Sequence, residues 1–182
     1  FRSLIAAGHL IPLGVKGVFG RSGVFEGVVE GFERLVTRAR AAPGVDVVRL
    51  PPIFARTHHE KINHIHNFPD LLGSVHAFTG DSKAHRKMAG KFMDGDDWPE
   101  DLAPAETMLI PAACYPLYPT LTGEIAAPGR TVDLRSFVFR HEPSDEPTRM
   151  QIFRQREYVR IGTAEQAAVH RDHWLETGKT LL

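Results

Sequence analysis

The sequence predicts an α+β domain in which helices flank a mixed, largely antiparallel sheet. Three observations point there. Stretches 131–140 and 152–161 both read as strands, and the polar connection between them is too short for a crossover helix, so they pair antiparallel. Segments 24–41 and 164–176 carry helical signals instead. The chain has 182 residues, 42% hydrophobic and 24% charged, which suits one soluble domain with a sizeable core.

Each element has its own justification. In 24–41, Phe25, Val28, Val29, Phe32, Leu35, Val36 and Ala39 recur at three- and four-residue spacing. That pattern sends Glu26, Glu30, Glu33, Arg34 and Arg38 to the solvent side of a helix begun by Ser22 and stopped by Pro43-Gly44. Val45 to Leu50 is a short β-branched strand. Pro51-Pro52 after it removes two backbone donors, which places the strand at a sheet edge or a subunit interface. Residues 55–69 are polar and rich in histidine (His58, His59, His64, His66). Segment 81–93 is a basic helix capped by Asp81, 94–106 an acidic loop with Gly95, Pro99 and Pro104, and 107–111 a short strand. In 131–140, Val132, Leu134, Ser136, Val138 and Arg140 alternate with residues that are also partly apolar, as in a central strand covered on both faces. Residues 143–150 connect it to 152–161. Thr163 and Gln166 form a capping box opening the helix 164–176, which lines up Ala167, His170, Arg171 and Trp174.

Composition excludes several classes. Equal numbers of basic and acidic side chains, 22 each, argue against a broad sequence-independent grip on nucleic acid. Apolar runs are too short to cross a bilayer. Residues 4–15 are broken by Gly8, His9, Pro12 and Gly14 and do not read as a signal peptide. A single cysteine precludes an internal disulfide and fits a reducing, cytoplasmic compartment.

The strand pair carries the chemistry. Arg140 and Glu142 project to one face at the mouth of the connection, Arg149 lies in it, and Phe153 shares a face with Glu157 on the returning strand. Guanidinium, carboxylate and an aromatic plane around one depression suit a nucleotide; the competing reading is a salt-bridged surface ladder beside a core phenylalanine. Cys114, just past a short strand, is a small buried hydrophobe, a metal ligand or a catalytic thiol. As a ligand it needs companions, with Glu157 and the four histidines as candidates. His64 and His66 would share a side if they lay on a strand. The basic helix 81–93 is either a solvated face or a dock for an acidic partner.

Phe139-Arg140-His141-Glu142, the connection with Arg149, and Phe153 with Glu157 resemble motif 2 of the class II aminoacyl-tRNA synthetases. Helix 24–41 followed by Val48-Arg49-Leu50-Pro51-Pro52 resembles their dimer-forming motif 1, and Ala112-Ala113-Cys114 before Tyr115-Pro116 resembles the zinc-dependent atypical seryl-tRNA synthetases. Across 19–175, including His58-His59-Glu60-Lys61 through Gly73, the chain is most similar to the short bacterial amino acid:[carrier protein] ligases.

The resemblance implies a class II synthetase-like fold, with residues 1–182 as the N-terminal two-thirds of a catalytic domain. It implies that Arg140 and Glu142 are catalytic, Arg140 holding the α-phosphate of ATP and Glu142 the adenine amine. Arg149 would reach the outer phosphates and Phe153 would stack on the base. Cys114 and Glu157 would be two of three protein ligands to zinc, and magnesium would accompany ATP. The implied reaction activates a small amino acid, glycine or alanine, as an adenylate and transfers it to the phosphopantetheine thiol of a carrier protein, in a homodimer. The third zinc ligand and the motif 3 arginine of the family fall past residue 182, so the expectation is a fragment or a truncated relative. A non-catalytic zinc-binding paralogue and an atypical seryl-type tRNA synthetase are the alternatives. Zero net charge and the lack of a coiled-coil pattern count against tRNA.

Overall fold

The computed structural model describes residues 1–40, 44–146 and 148–182. Its main sheet holds β3 (Val45–Arg49), β7 (Arg130–Phe139) and β8 (Ile152–Ile161), in that order. β7 and β8 pair antiparallel along their length, from Arg130 opposite Ile161 to Phe139 opposite Ile152. β3 runs parallel to β7, Val48 beside Leu134, which makes the sheet mixed. β3 is an edge strand, so the prolines that follow it disturb no ladder.

A second sheet orders β4 (Ile53–Ala55), β6 (Ala103–Leu109) and β5 (Ser74–Ala77), all antiparallel. It meets the end of β7 where the Phe139 amide donates to the Ile110 carbonyl at 2.8 Å. β6 begins at Ala103, so the second half of the expected 94–106 loop divides between a 3-10 turn at 99–101 and a strand. Pro104 is tolerated there because β4 pairs only with Thr107 to Leu109, leaving one side of β6 free at the proline. A hairpin of β1 (Leu10–Pro12) and β2 (Phe19–Arg21) follows the short helix α1 (Arg2–Ala6). It docks on the β7–β8 connection, where Gln151 donates its backbone N–H to the Gly17 carbonyl at 2.8 Å and its side chain to Lys16 at 2.6 Å. Gly17 has φ +77°, and a Cβ on it would sit 3.1 Å from the Gln151 side chain, so a larger residue would be strained in its backbone and would push Gln151 aside.

One face of the main sheet, Val132, Leu134 and Val138, packs under Ile110, Ala113, Cys114 and Leu117 and forms the core. Full burial of each large aliphatic side chain there contributes about 1.5–3 kcal/mol. The other face is charged. Asp133 is 1% exposed and accepts from Arg156 at 2.7 and 3.0 Å, Arg40 at 2.7 Å and the Tyr158 hydroxyl at 3.2 Å.

That charged face reorients the first long helix. α2 (Gly23–Arg40) starts where predicted, the Ser22 hydroxyl accepting from the Phe25 amide at 3.2 Å. The expected stop at Pro43 lies outside the described residues. Glu26 and Glu33, assigned to solvent by periodicity, turn to the sheet and pair with Arg154 and Arg135, while Val28 and Phe32 are 69% and 49% exposed. Phe25, Val29, Leu35, Val36 and Ala39 stay half-buried and Glu30, Arg34 and Arg38 exposed, as the periodicity expects, so the arginines of β7 and β8 draw in Glu26 and Glu33 beside the apolar stripe rather than in place of it.

The histidine-rich stretch forms two short helices, α3 (Arg56–Glu60) and α4 (His64–Asn67). His64 and His66 therefore do not share a strand face: His64 is buried and His66 exposed. α5 (Ser82–Asp94) is capped by Asp81, whose carboxylate accepts from the Lys83 and Ala84 amides, and ends at left-handed Gly95. α6 (Ala164–Leu181) opens with the Thr163/Gln166 capping box and runs one turn beyond its predicted end. Trp174 stacks on Tyr158 at 4.5 Å, which holds α6 to the sheet.

Candidate active site

The β7–β8 hairpin gathers the predicted nucleotide residues. Arg140, Glu142, Arg149 and Phe153 line one depression of about 440 Å3. Arg140 is held from two sides: its backbone N–H donates to Gln151 at 2.9 Å, and its Nε donates to the Pro111 carbonyl at 3.0 Å. Its guanidinium lies 5.4 Å from the centre of the Phe153 ring, a cation–π contact that orders both groups. Arg149 Nη1 reaches Glu142 Oε1 at 3.3 Å. That pair is largely exposed at its arginine end and so contributes little to stability.

Arg21, Phe25 and Arg154 line the same depression and were not legible as site residues. Arg21 arrives on the β1–β2 hairpin, which the sequence did not announce. Arg154 belongs by strand alternation to the opposite face from Phe153, so the depression wraps around the start of β8. Burial and the neighbouring Arg154 charge hold the Arg21 guanidinium below its ordinary pKa, with Glu26 opposing them.

The second predicted pair also converges. Cys114 donates its backbone N–H to Glu157 Oε1 at 3.1 Å, and the adjacent Ala113 N–H donates to Gln155 Oε1 at 2.9 Å. Two side chains on one face of β8 thus pin the turn carrying the cysteine. The thiol is buried, and burial pushes its pKa up to about 11; its hydrogen bond with Glu157 adds to the rise, and that with Tyr118 works against it. A thiol in that state is protonated at neutral pH, which opposes the free catalytic-nucleophile reading. Among the described residues no group of three His, Cys, Asp or Glu side chains is placed to hold a metal. The donor set is therefore Cys114 and Glu157 alone, short of the three or four of a protein zinc site.

The histidines do not complete it. His59 and His64 stack at 5.4 Å, and His64 Nδ1 lies 3.1 Å from the Tyr115 hydroxyl. Both imidazoles are held below their ordinary pKa, by burial first and then by a neighbouring charge: His64 for His59, Arg140 for His64.

Sequence comparison supplies a context for this geometry. The chain is 39% identical over 165 residues to amino acid–[acyl-carrier-protein] ligase 2 of Bradyrhizobium diazoefficiens and 38% identical over 165 residues to ligase 1 of the same organism. Each match covers 90% of this chain. It is related to the amino acid:[carrier protein] ligases. This ligase relative spans about half the length of the curated relatives it matches, 49% and 50%. No protein-family model matches the sequence. Its fold is that of the class II synthetases. M. kandleri SerRS, crystallised with A. aeolicus tRNASec, superposes with a TM-score of 0.84 at 19% identity, over 99% of this chain and 37% of its own. Giardia lamblia prolyl-tRNA synthetase, in complex with prolyl-adenylate, gives 0.72 at 16% identity, over 98% and 34%. Among the described residues of the ligase relative, no helix is long and apolar enough to cross a membrane.

Proposed function

We propose that the intact protein activates a small amino acid with ATP and passes it, as an aminoacyl group, to the phosphopantetheine thiol of a carrier protein. The observation that carries this reading is the single depression formed by Arg140, Glu142, Arg149 and Phe153. Fixed guanidinium groups there would offset charge developing on the α-phosphate as the substrate carboxylate attacks, magnesium sharing the load, and pyrophosphate would leave. Glu142 would accept from the adenine amine and Phe153 would stack on the base.

Glycine or alanine as substrate is suggested by resemblance alone. Cys114 and Glu157 would provide two donors to zinc, with a third from outside the described residues. Zinc held there would offer an open position for the substrate's amine. A homodimer through α2 and β3 is supported by the exposed Val24, Val28, Phe32 and Val47. A cytoplasmic location is inferred from the single unpaired cysteine.

The test is amino-acid-dependent exchange of pyrophosphate into ATP by the intact protein and its Arg140→Ala variant. Exchange should fall by about 100-fold or more in the variant, as when a group opposing transition-state charge is removed. Near-normal exchange in the variant removes the assignment.

A further inference from the structure

The Arg140 depression carries more positive charge than its neighbouring acids balance. Four guanidinium groups line it, those of Arg21, Arg140, Arg149 and Arg154. Glu142 pairs with Arg149 at 3.3 Å, and Glu26 with Arg154 at 2.6 Å. Among the described residues, Arg140 and Arg21 have no carboxylate partner: Arg140 is held by the Pro111 carbonyl and the Phe153 ring, Arg21 by the Met150 sulfur and the Phe25 ring. Arg140 has a task in the proposed reaction, at the α-phosphate. Arg21 has none.

The contacts of Arg21 are weak for a half-buried cation. Its Nη2 donates to the Met150 sulfur at 3.5 Å, its guanidinium lies 5.8 Å from the centre of the Phe25 ring, and its Nε is buried without a partner. Nη1 is the donor left for a ligand. A charge taken from water with no anion beside it costs stability, and burial together with the Arg154 charge already presses on this one. Its backbone is nevertheless fixed firmly. Arg21 ends β2 opposite Leu10, which is 1% exposed. The next residue, Ser22, donates its backbone N–H to the His9 carbonyl at 3.1 Å and caps α2 through its hydroxyl. Gln151 clamps the whole hairpin to the β7–β8 connection. An unpaired cation held this rigidly in a pocket wall is preorganised for an anionic ligand.

We infer that Arg21, together with Arg149, holds the outer phosphates of ATP and the pyrophosphate that leaves. The inference rests on the ligase reading above. One arginine belongs to the β1–β2 hairpin and the other to the β7–β8 connection, so a polyphosphate held by both ties the two elements together. As the substrate's carboxylate oxygen bonds to the α-phosphorus, the bond from that phosphorus to the bridging oxygen breaks and the electron pair stays on pyrophosphate. Arg21 offsets the charge gathering there, as Arg140 does at the α-phosphate. AMP has no outer phosphates and does not call on Arg21.

The test titrates the intact protein, with magnesium present, with inorganic pyrophosphate and separately with AMP, and measures KM for ATP in pyrophosphate exchange. Arg21→Met keeps an unbranched side chain beside Phe25 and Met150 and removes the charge. It should weaken pyrophosphate binding and raise KM for ATP by about tenfold or more, the scale of one lost charge-assisted contact. Affinity for AMP should stay within about twofold, and the melting temperature should hold or rise, because no ion pair is broken. Unchanged pyrophosphate affinity in Arg21→Met overturns the inference. An equal loss of AMP affinity does the same, since it marks Arg21 as a support of the fold. If Arg21→Met does not fold, Arg21→Lys decides, keeping the charge without the planar fork. Pyrophosphate affinity lowered several-fold with AMP affinity intact supports the inference, and unchanged affinities overturn it. Absence of exchange in the unmodified protein overturns the ligase reading, and the pyrophosphate titration still decides for or against Arg21.

Discussion

Replacing Asp133 by asparagine tests the charged face of the sheet. The carboxylate is 1% exposed and receives four hydrogen bonds, three of them from guanidinium groups. Breaking a buried ion pair costs about 3–5 kcal/mol, because the partner charge is left uncompensated. Two features favour the lower end. Arg40 has a side chain 22% exposed and regains water when released. Arg156, at 11%, keeps the Glu33 carbonyl and the Thr37 hydroxyl as acceptors, each at 2.8 Å. Asp133→Asn should therefore destabilise the intact protein by about 3 kcal/mol at neutral pH, read from urea unfolding. The pH dependence follows from the carboxyl group. Burial alone would raise its pKa, but the hydrogen bonds and charge of Arg156, with help from Tyr158 and Arg40, hold it below the ordinary carboxylate value. A depressed folded-state pKa gives stability that is fully present above the unfolded value of about 3.9 and lost as pH falls through the folded one. The gap between unmodified protein and variant should accordingly close in acid. A loss under about 1 kcal/mol at pH 7, or a gap that persists below both pKa values, would refute the reasoning.

Three further outcomes are expected. Phe153→Leu should raise KM for ATP several-fold with little change in kcat, since stacking serves ground and transition states alike; steady-state exchange kinetics check this. Cys114→Ser should strip most zinc from the intact protein, and elemental analysis showing equal zinc in both proteins would remove the metal assignment. Phe32→Asp, in the exposed apolar stripe of α2, should convert a dimer to a monomer in light scattering at micromolar concentration; a monomeric unmodified protein would dispose of the interface.

What the sequence disclosed depended on how local each signal was. β8 and the capping box of α6 were readable to the residue because alternation and capping are properties of neighbours in the chain. The inner face of α2 was not. Periodicity turned Phe25, Val29 and Val36 inward correctly, but the turn of Glu26 and Glu33 to the sheet depends on Arg154 and Arg135, more than a hundred positions away in the chain. Asp133 escaped notice for the same reason: a lone aspartate in a strand looks like solvent-facing punctuation until Arg40 and Arg156 are brought to it. In the candidate site, the motif 2 residues lie on one hairpin and were legible together. Arg21 comes from the remote β1–β2 hairpin, and its neighbours exist only in the fold.

The parallel pairing of β3 with β7 also sets the order of assembly. β7 and β8 are joined by a short connection, so their ladder closes a small loop and can form early. β3 must wait for Val48 to meet Leu134 across everything between them, including the whole smaller sheet. Contacts of such long sequence separation form late in folding. During synthesis α2 and β3 emerge well before the strand that completes them, and the α2 helix spends that interval with both its acidic and its apolar stripe in water. Weakening the β3–β7 seam should then leave the folding rate nearly unchanged and speed unfolding, so that its contribution is to the lifetime of the finished sheet.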